Sequence, residues 1–134
     1  MICRRHNRPH AGQDIDATVC WMTEQTSLRA GTRFLLKHTT RNVKAIVRDL
    51  QYRLDVNTLH RDEAATELGL NQIGRVTLRT SVPIIYDEFR RNRTTGSLIV
   101  VDEDTNETVG GGMHKFVVLQ VDAYVRNATF CIEK

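Results

Sequence analysis

Between Val43 and Leu54 the apolar residues change faces. Val43, Ala45 and Val47 alternate on one parity, while Leu50, Tyr52 and Leu54 alternate on the other. A strand sends successive side chains to opposite faces, so no single straight strand can bury both sets. A bulge or sharp bend near Arg48-Asp49 reconciles them, and long bent strands are what small barrels use at their corners. This stretch predicts a chain of strands that curls on itself.

The remaining elements fit that expectation. Asp14 to Met22 alternates Ile15, Ala17, Val19 and Trp21 inward with Asp16, Thr18 and Cys20 outward, and Asp14 and Asp16 read as a solubilising pair on the exposed face. Arg33 to Thr39 forms a second strand, with Thr40-Arg41-Asn42 as the turn into the long one. Arg61 to Leu68 reads as one or two helical turns capped by Asn57 or Thr58, or equally as an irregular loop, because so short a helix is marginal alone. Arg75 to Ser81 faces Val76 and Leu78 inward and Arg75, Thr77 and Arg79 outward. Pro83 stops that strand or marks an edge, and Ile84-Ile85-Tyr86 continues inward. A charged loop from Asp87 to Gly96 leads to strands over Ser97–Asp102 and Glu107–Met113, the latter carrying the triple glycine Gly110-Gly111-Gly112. About six hairpin-connected strands with hardly any helix predict an all-β, closed antiparallel barrel in preference to a sandwich.

Composition bounds what such a barrel does. The chain has 134 residues, enough for one domain with a real core. Its net charge of +3, from 19 Lys plus Arg against 16 Asp plus Glu, is too mild to imply nucleic acid. The cysteines Cys3, Cys20 and Cys131 are odd in number and far apart, which suits a reducing compartment. The sequons at Asn92, Asn106 and Asn127 read as chance matches. No apolar leader or membrane span is visible, so the expectation is a soluble, cytoplasmic protein. The opening MICRRHNRPH is basic and strand-poor. Residues 1–12 therefore read as the remnant of an interdomain linker, 13–114 as the barrel and 115–134 as an unassigned tail, and the chain reads as a fragment.

Motif chemistry is sparse. Gly69-Leu70-Asn71-Gln72-Ile73-Gly74 has the glycine spacing of a phosphate loop, but Arg75 and Val76 stand where Lys and Ser or Thr are needed. It also precedes a strand, whereas a phosphate loop opens a helix. Cys3, His6 and His10 have a spacing that zinc accepts, but Pro9 interrupts them and a fourth ligand is missing. His38, His60 and His114 lack a neighbouring carboxylate or nucleophile and read as surface or packed residues. Asp102, Glu103 and Asp104 lack the spacing of a calcium loop. The residues therefore assign no catalytic, cofactor or metal site. The best binding candidate is the loop Arg90-Arg91-Asn92-Arg93, whose arginines suit phosphate or carboxylate and would form one positive patch with Arg75 and Arg79. RNA is a weaker reading, with Phe89 alone available for stacking.

Several stretches together carry a resemblance. HNRP, VCWM, LKHTTRNVKAIVRDLQYRLDVNTL, LGLNQIGRVTLRT and YDEFRRNRTTGSLIVVDEDTNETVGGGM resemble the last domain of the GTP-binding large subunit of bacterial sulfate adenylyltransferase, a relative of elongation factor Tu. The likeness covers roughly residues 6 to 114 and is most specific at Asp55-Val56-Asn57-Thr58, at Leu70 to Gly74, at Asn92 to Gly96 and at Thr105 to Gly110. It implies a closed six-stranded antiparallel barrel, like the third domain of elongation factor Tu. It also implies a subunit that couples GTP hydrolysis to formation of adenylyl sulfate from ATP and sulfate by a catalytic small subunit. The implied partners are that small subunit and the subunit's own G domain and middle barrel.

The departures from the family pattern limit what carries over. The phosphate loop, Asp-x-x-Gly and Asn-Lys-x-Asp motifs are missing, so GTP and Mg²⁺ belong to an absent G domain and this chain is expected to be inactive alone. Lys115 to Lys134 matches nothing in the family pattern. Its alternation of Val117, Leu119, Val121, Ala123 and Val125 would add a strand, or mark a divergent or frame-shifted terminus. The expectation is a non-catalytic docking barrel with partner contacts at Arg90, Arg91 and Arg93 and at Asp55, Asn57 and Thr58. The alternative is a translation-factor-like barrel that binds RNA through its basic face.

Overall fold

A computed structural model describes residues 2–115. These residues form nine strands and no helix: β1 (His10–Trp21), β2 (Leu28–Arg29), β3 (Arg33–His38), β4 (Arg41–Leu54), β5 (Arg61–Asp62), β6 (Glu67–Leu68), β7 (Ile73–Tyr86), β8 (Ser97–Val101) and β9 (Thr108–His114). The pairing runs β3-β8-β9-β1-β7-β4, and β3 also pairs with β4. That last pairing closes a six-stranded antiparallel barrel. β5 adds to the outer edge of β4, and β2 and β6 form a separate ribbon. The tail strand expected over residues 115–134 lies outside the described residues from 116 onward.

The parity switch in β4 is where the sequence places it. Its register against β7 slips between Val47 and Asp49, and again between Leu50 and Tyr52. Val43, Ala45, Val47 and Leu50 all reach the core, while Tyr52 and Leu54 are half-buried. The bulges turn the strand, so that one chain lines two parts of a curved wall. Ile15, Ala17, Val19, Val76, Leu78, Leu36 and Val100 complete the interior.

Three expectations need correction. Arg61 to Leu68 forms no helix: Asp62 pairs with Arg53 on β4 and Leu68 with Leu28 on β2, and pairing at both ends overrides a marginal local preference. Pro83 does not stop its strand, because β7 continues to Tyr86, but it does mark an edge, since β7 pairs with β4 only as far as Thr80. Against β1 the register jumps from Gly12–Ile84 to Asp14–Arg79, so the proline sits in a bulge where its missing N–H costs no ladder bond. Asp16 is not on an exposed face. It is 1 % exposed, covered by Arg75 reaching across from β7.

Candidate functional site

The strand directions fix where the expected contact residues fall. Leu54 at the end of β4 pairs with Ile73 at the start of β7, so the loop after Leu54 lies at one mouth of the barrel. The loop after Tyr86 leaves the other end of β7, a strand of 14 residues. At about 3.3 Å per residue the two lie on the order of 40 Å apart along it. Arg90, Arg91 and Arg93 therefore do not share a surface with Asp55, Asn57 and Thr58. Nor do they form one patch with Arg75, which sits near the start of β7. There it forms a bidentate pair with Asp16, Nε lying 3.0 and 2.9 Å from the two carboxylate oxygens. Those bonds hold the guanidinium pKa above its ordinary value, against the opposing effect of its partial burial.

At the first mouth the loop 55–60 folds on itself. Asp55 accepts a hydrogen bond from the Asn57 backbone N–H at 2.8 Å. That bond is the main reason its carboxyl lies below the usual range. The Asp55 N–H donates to His60 O at 3.0 Å, and the Leu59 N–H to Asp55 O at 2.8 Å. The His60 N–H lies 3.5 Å from Thr58 Oγ1, so Asp55 and Thr58 both shape the loop. What the loop presents is apolar: Val56 is 54 % exposed and Leu59 71 %, and Leu59 is held at a φ of 58°. A branched aliphatic residue in the left-handed region, pointing into water, is an outlier that points to function. In the sequence Val56 figures only as part of the Asp55–Thr58 family stretch, and Leu59 carries no signal of its own. A groove of about 320 Å³ beside them is lined by Arg53, His60, Arg61, Asn71 and Gln72.

The second mouth is built differently. The loop 87–96 is bonded internally, with the Asn92 N–H donating to Glu88 O at 3.0 Å, the Gly96 N–H to Asn92 O at 2.8 Å, and Thr95 Oγ1 to Asp87 at 2.9 Å. It leaves Arg90, Arg91 and Arg93 exposed, and Arg91 contacts Asn7. Beneath it lie His38, Tyr86 and His114, all buried. The rings of His38 and His114 meet edge-on at 5.1 Å, and Tyr86 stacks on His114 at 4.8 Å. His38 Nε2 is 2.8 Å from Thr95 O, so the imidazole fastens the arginine loop to the core. Among the described residues neither ring nitrogen of His114 has a hydrogen-bond partner. Burial, aided by electrostatic repulsion from His38, pushes the His114 pKa down to about 3, and burial lifts that of Tyr86 to about 12.

The glycine-spaced stretch 69–74 does not fit a phosphate. Its amides are engaged: the Gly69 N–H on Gln72 Oε1 at 2.7 Å, and those of Asn71 and Gln72 on Trp21 O at 2.9 Å and Gly69 O at 3.2 Å. Among the described residues no group of three or more His, Cys, Asp or Glu side chains could hold a metal ion, and no helix is long and apolar enough to cross a membrane.

Comparison with known proteins adds family and fold. The family model described as GTP-eEF1A C-terminal domain-like matches residues 14–115. The chain is 57 % identical, over 113 residues, to the bifunctional enzyme CysN/CysC of Mycobacterium tuberculosis, covering 84 % of this chain and 18 % of that protein. It is 35 % identical to sulfate adenylyltransferase subunit 1 of Shewanella woodyi, covering 24 % of that protein. The chain thus spans about a fifth to a quarter of the length of these curated relatives. The crystal structure of sup35 complexed with GDP superposes with a TM-score of 0.73 at 19 % identity, over 84 % of this chain and 27 % of that one, a likeness of fold.

Proposed function

The chain belongs to the GTP-eEF1A C-terminal domain-like family, and from that premise we propose that it is the docking barrel of a GTP-binding sulfate adenylyltransferase subunit, acting in the cytoplasm in sulfate assimilation. The observation that carries this reading is the 57 % identity with the CysN/CysC enzyme across 84 % of the chain. The whole subunit would couple GTP hydrolysis to formation of adenylyl sulfate by a catalytic small subunit. GTP and Mg²⁺ would be held by a G domain, with no ligand from this barrel.

The barrel's own work is contact. One mouth offers Val56 and Leu59 on a self-bonded loop, so little conformational freedom is lost when a partner covers them. The other offers Arg90, Arg91 and Arg93 on a loop fixed by its own hydrogen bonds. Two loops at opposite ends of β7 suit two different neighbours, the catalytic small subunit and the subunit's own G domain and middle barrel. The RNA alternative has less support, since Arg75 is occupied by Asp16.

Sedimentation of the full GTPase subunit with its small subunit tests the proposal. Val56→Asp with Leu59→Asp, or charge reversal at Arg90, Arg91 and Arg93, is expected to weaken one of the two associations by about tenfold or more, as loss of one or two buried aliphatic anchors does. Unchanged assembly and unchanged domain packing in both variants would overturn it.

A further inference from the structure

A third surface lies on the flank of the barrel, between the two mouths. Arg33 on β3 pairs directly with Ile46 on β4, and Ile46 with Arg79 on β7. Directly opposed residues face the same side of a sheet, so the two arginines flank Ile46 on the outer wall, about 10 Å apart at the backbone. Both are exposed. The carboxylates nearby are engaged elsewhere: Glu103 holds Lys44 at 2.6 Å and Asp14 faces Arg48 at 3.5 Å. Among the described residues Arg33 and Arg79 have no ion-pair partner. Asp14 lies opposite Arg79 across β1 and β7 but has its ion pair with Arg48, so Arg33 and Arg79 both keep exposed guanidiniums that can take an anionic partner.

The shape agrees. Arg33, Lys44, Ile46, Arg79, Gln13 and Ser81 line a groove of about 420 Å³, within the range of ligand-sized sites. Its floor is apolar at Ile46, and its walls carry amide and hydroxyl groups. No lining residue is aromatic, so nucleobases have nothing to stack on. Glu103 on the rim is held by Lys44 at 2.6 Å, and an extended peptide with carboxylate side chains needs no base stacking to be held by Arg33 and Arg79.

We propose that this groove receives an acidic peptide segment of a protein partner, with its carboxylates held by Arg33 and Arg79 and its backbone lying over Ile46. Arginine is suited to the task, because its planar fork takes a carboxylate through two parallel hydrogen bonds. The site does not depend on the sulfate adenylyltransferase reading, since any acidic partner segment satisfies it.

Fluorescence anisotropy of a labelled hexaglutamate peptide against the full chain, at low ionic strength where exposed charges are least screened, tests it. Binding is expected, with amide shifts in NMR spectra centred on Ile46, Thr80 and Ser81. Arg33→Ala and Arg79→Ala should each weaken it roughly tenfold, the cost of losing a charged hydrogen bond, and Arg33→Lys or Arg79→Lys should restore part. Arg90→Ala with Arg91→Ala and Arg93→Ala should leave it unchanged. No binding, or binding indifferent to the loss of Arg33 and Arg79, would overturn the proposal. So would an oligouridylate that binds more tightly than the peptide and is lost in the same two variants, which would give the groove to nucleic acid.

Discussion

The two mouths of the barrel are sealed by different chemistry. At the mouth where β1 ends, Trp21 is fully buried against Phe34, with ring centroids 5.3 Å apart. Its indole N–H donates to Thr26 O at 2.6 Å, and Leu28 and Leu68 of the β2–β6 ribbon are 0 % exposed. Every polar atom named there is paired, and no ionisable group is buried with them. At the mouth where β7 ends, the seal is His38, Tyr86 and His114 under a loop carrying three arginines. An apolar plug holds at any pH, whereas an imidazole plug holds only while it is neutral. The difference means that one candidate docking loop rests on an inert base and the other on a titratable one.

The largest expected effect tests that distinction directly. His114 has its pKa depressed from 6.5 to about 3 in the folded state. Below pH 6.5 the unfolded chain takes up a proton that the folded chain does not, so stability falls with pH. The contribution is fully present above pH 6.5 and is lost progressively as pH falls toward about 3. Between pH 7 and pH 4.5 this amounts to about 2.5 kcal/mol from His114. Urea denaturation should show it, and His114→Phe should flatten the curve by about that amount. Amide protection factors, exchange rates corrected for the intrinsic pH dependence, should fall on acidification at Phe89 and Gly96 more than at Trp21. An equal fall at both mouths would erase the contrast.

A smaller effect separates the two loops by packing. A Cβ on Gly96 would lie 2.4 Å from Phe89 Cα and 2.6 Å from Asn92 O, backbone atoms that cannot rotate away. Gly69, in the turn at the opposite mouth, would meet nothing nearer than Gln72 Oε1 at 3.6 Å. Gly96→Ala should therefore cost roughly 2–3 kcal/mol, and Gly69→Ala about 0.5 kcal/mol or less, by thermal or chemical denaturation. Comparable losses would mean that the arginine loop is no more tightly built than the turn.

Much of this architecture is legible in the sequence, and the misses have identifiable causes. The face switch at Arg48-Asp49 is written in apolar parity, because a strand with the wrong parity would leave Leu50 or Val47 in water. Parity reports which face a side chain leaves, but not what lies over it. Asp16 is outward by parity and still buried, since a long neighbour, Arg75, lies across it. The pairing of His38 with His114 is invisible for another reason. Each reads as a lone histidine, and they meet only because β3 and β9 both end at the same mouth. Asp55 and Thr58 belong to a stretch specific to the family, but their hydrogen bonds are spent on the loop's own backbone. Val56 and Leu59, one residue on from each, carry the exposed surface.

The smallest effect concerns Leu59. Its left-handed backbone costs about 1–2 kcal/mol relative to an ordinary conformation, and with 71 % of the residue exposed little burial offsets that cost. Leu59→Gly removes the steric penalty but adds unfolded-chain freedom, so the expected net change is a stabilisation of about 0.5–1 kcal/mol. Leu59→Asn should gain slightly less, because asparagine tolerates this conformation better than leucine does. Nearly all point changes at a loop optimised for stability alone would be neutral or harmful. A gain in melting temperature together with weaker subunit association would therefore identify Leu59 as a residue kept for contact. A loss of stability in Leu59→Gly would show instead that the side chain packs within its own barrel, and the apolar mouth would then have no docking tip to compare with the arginine loop.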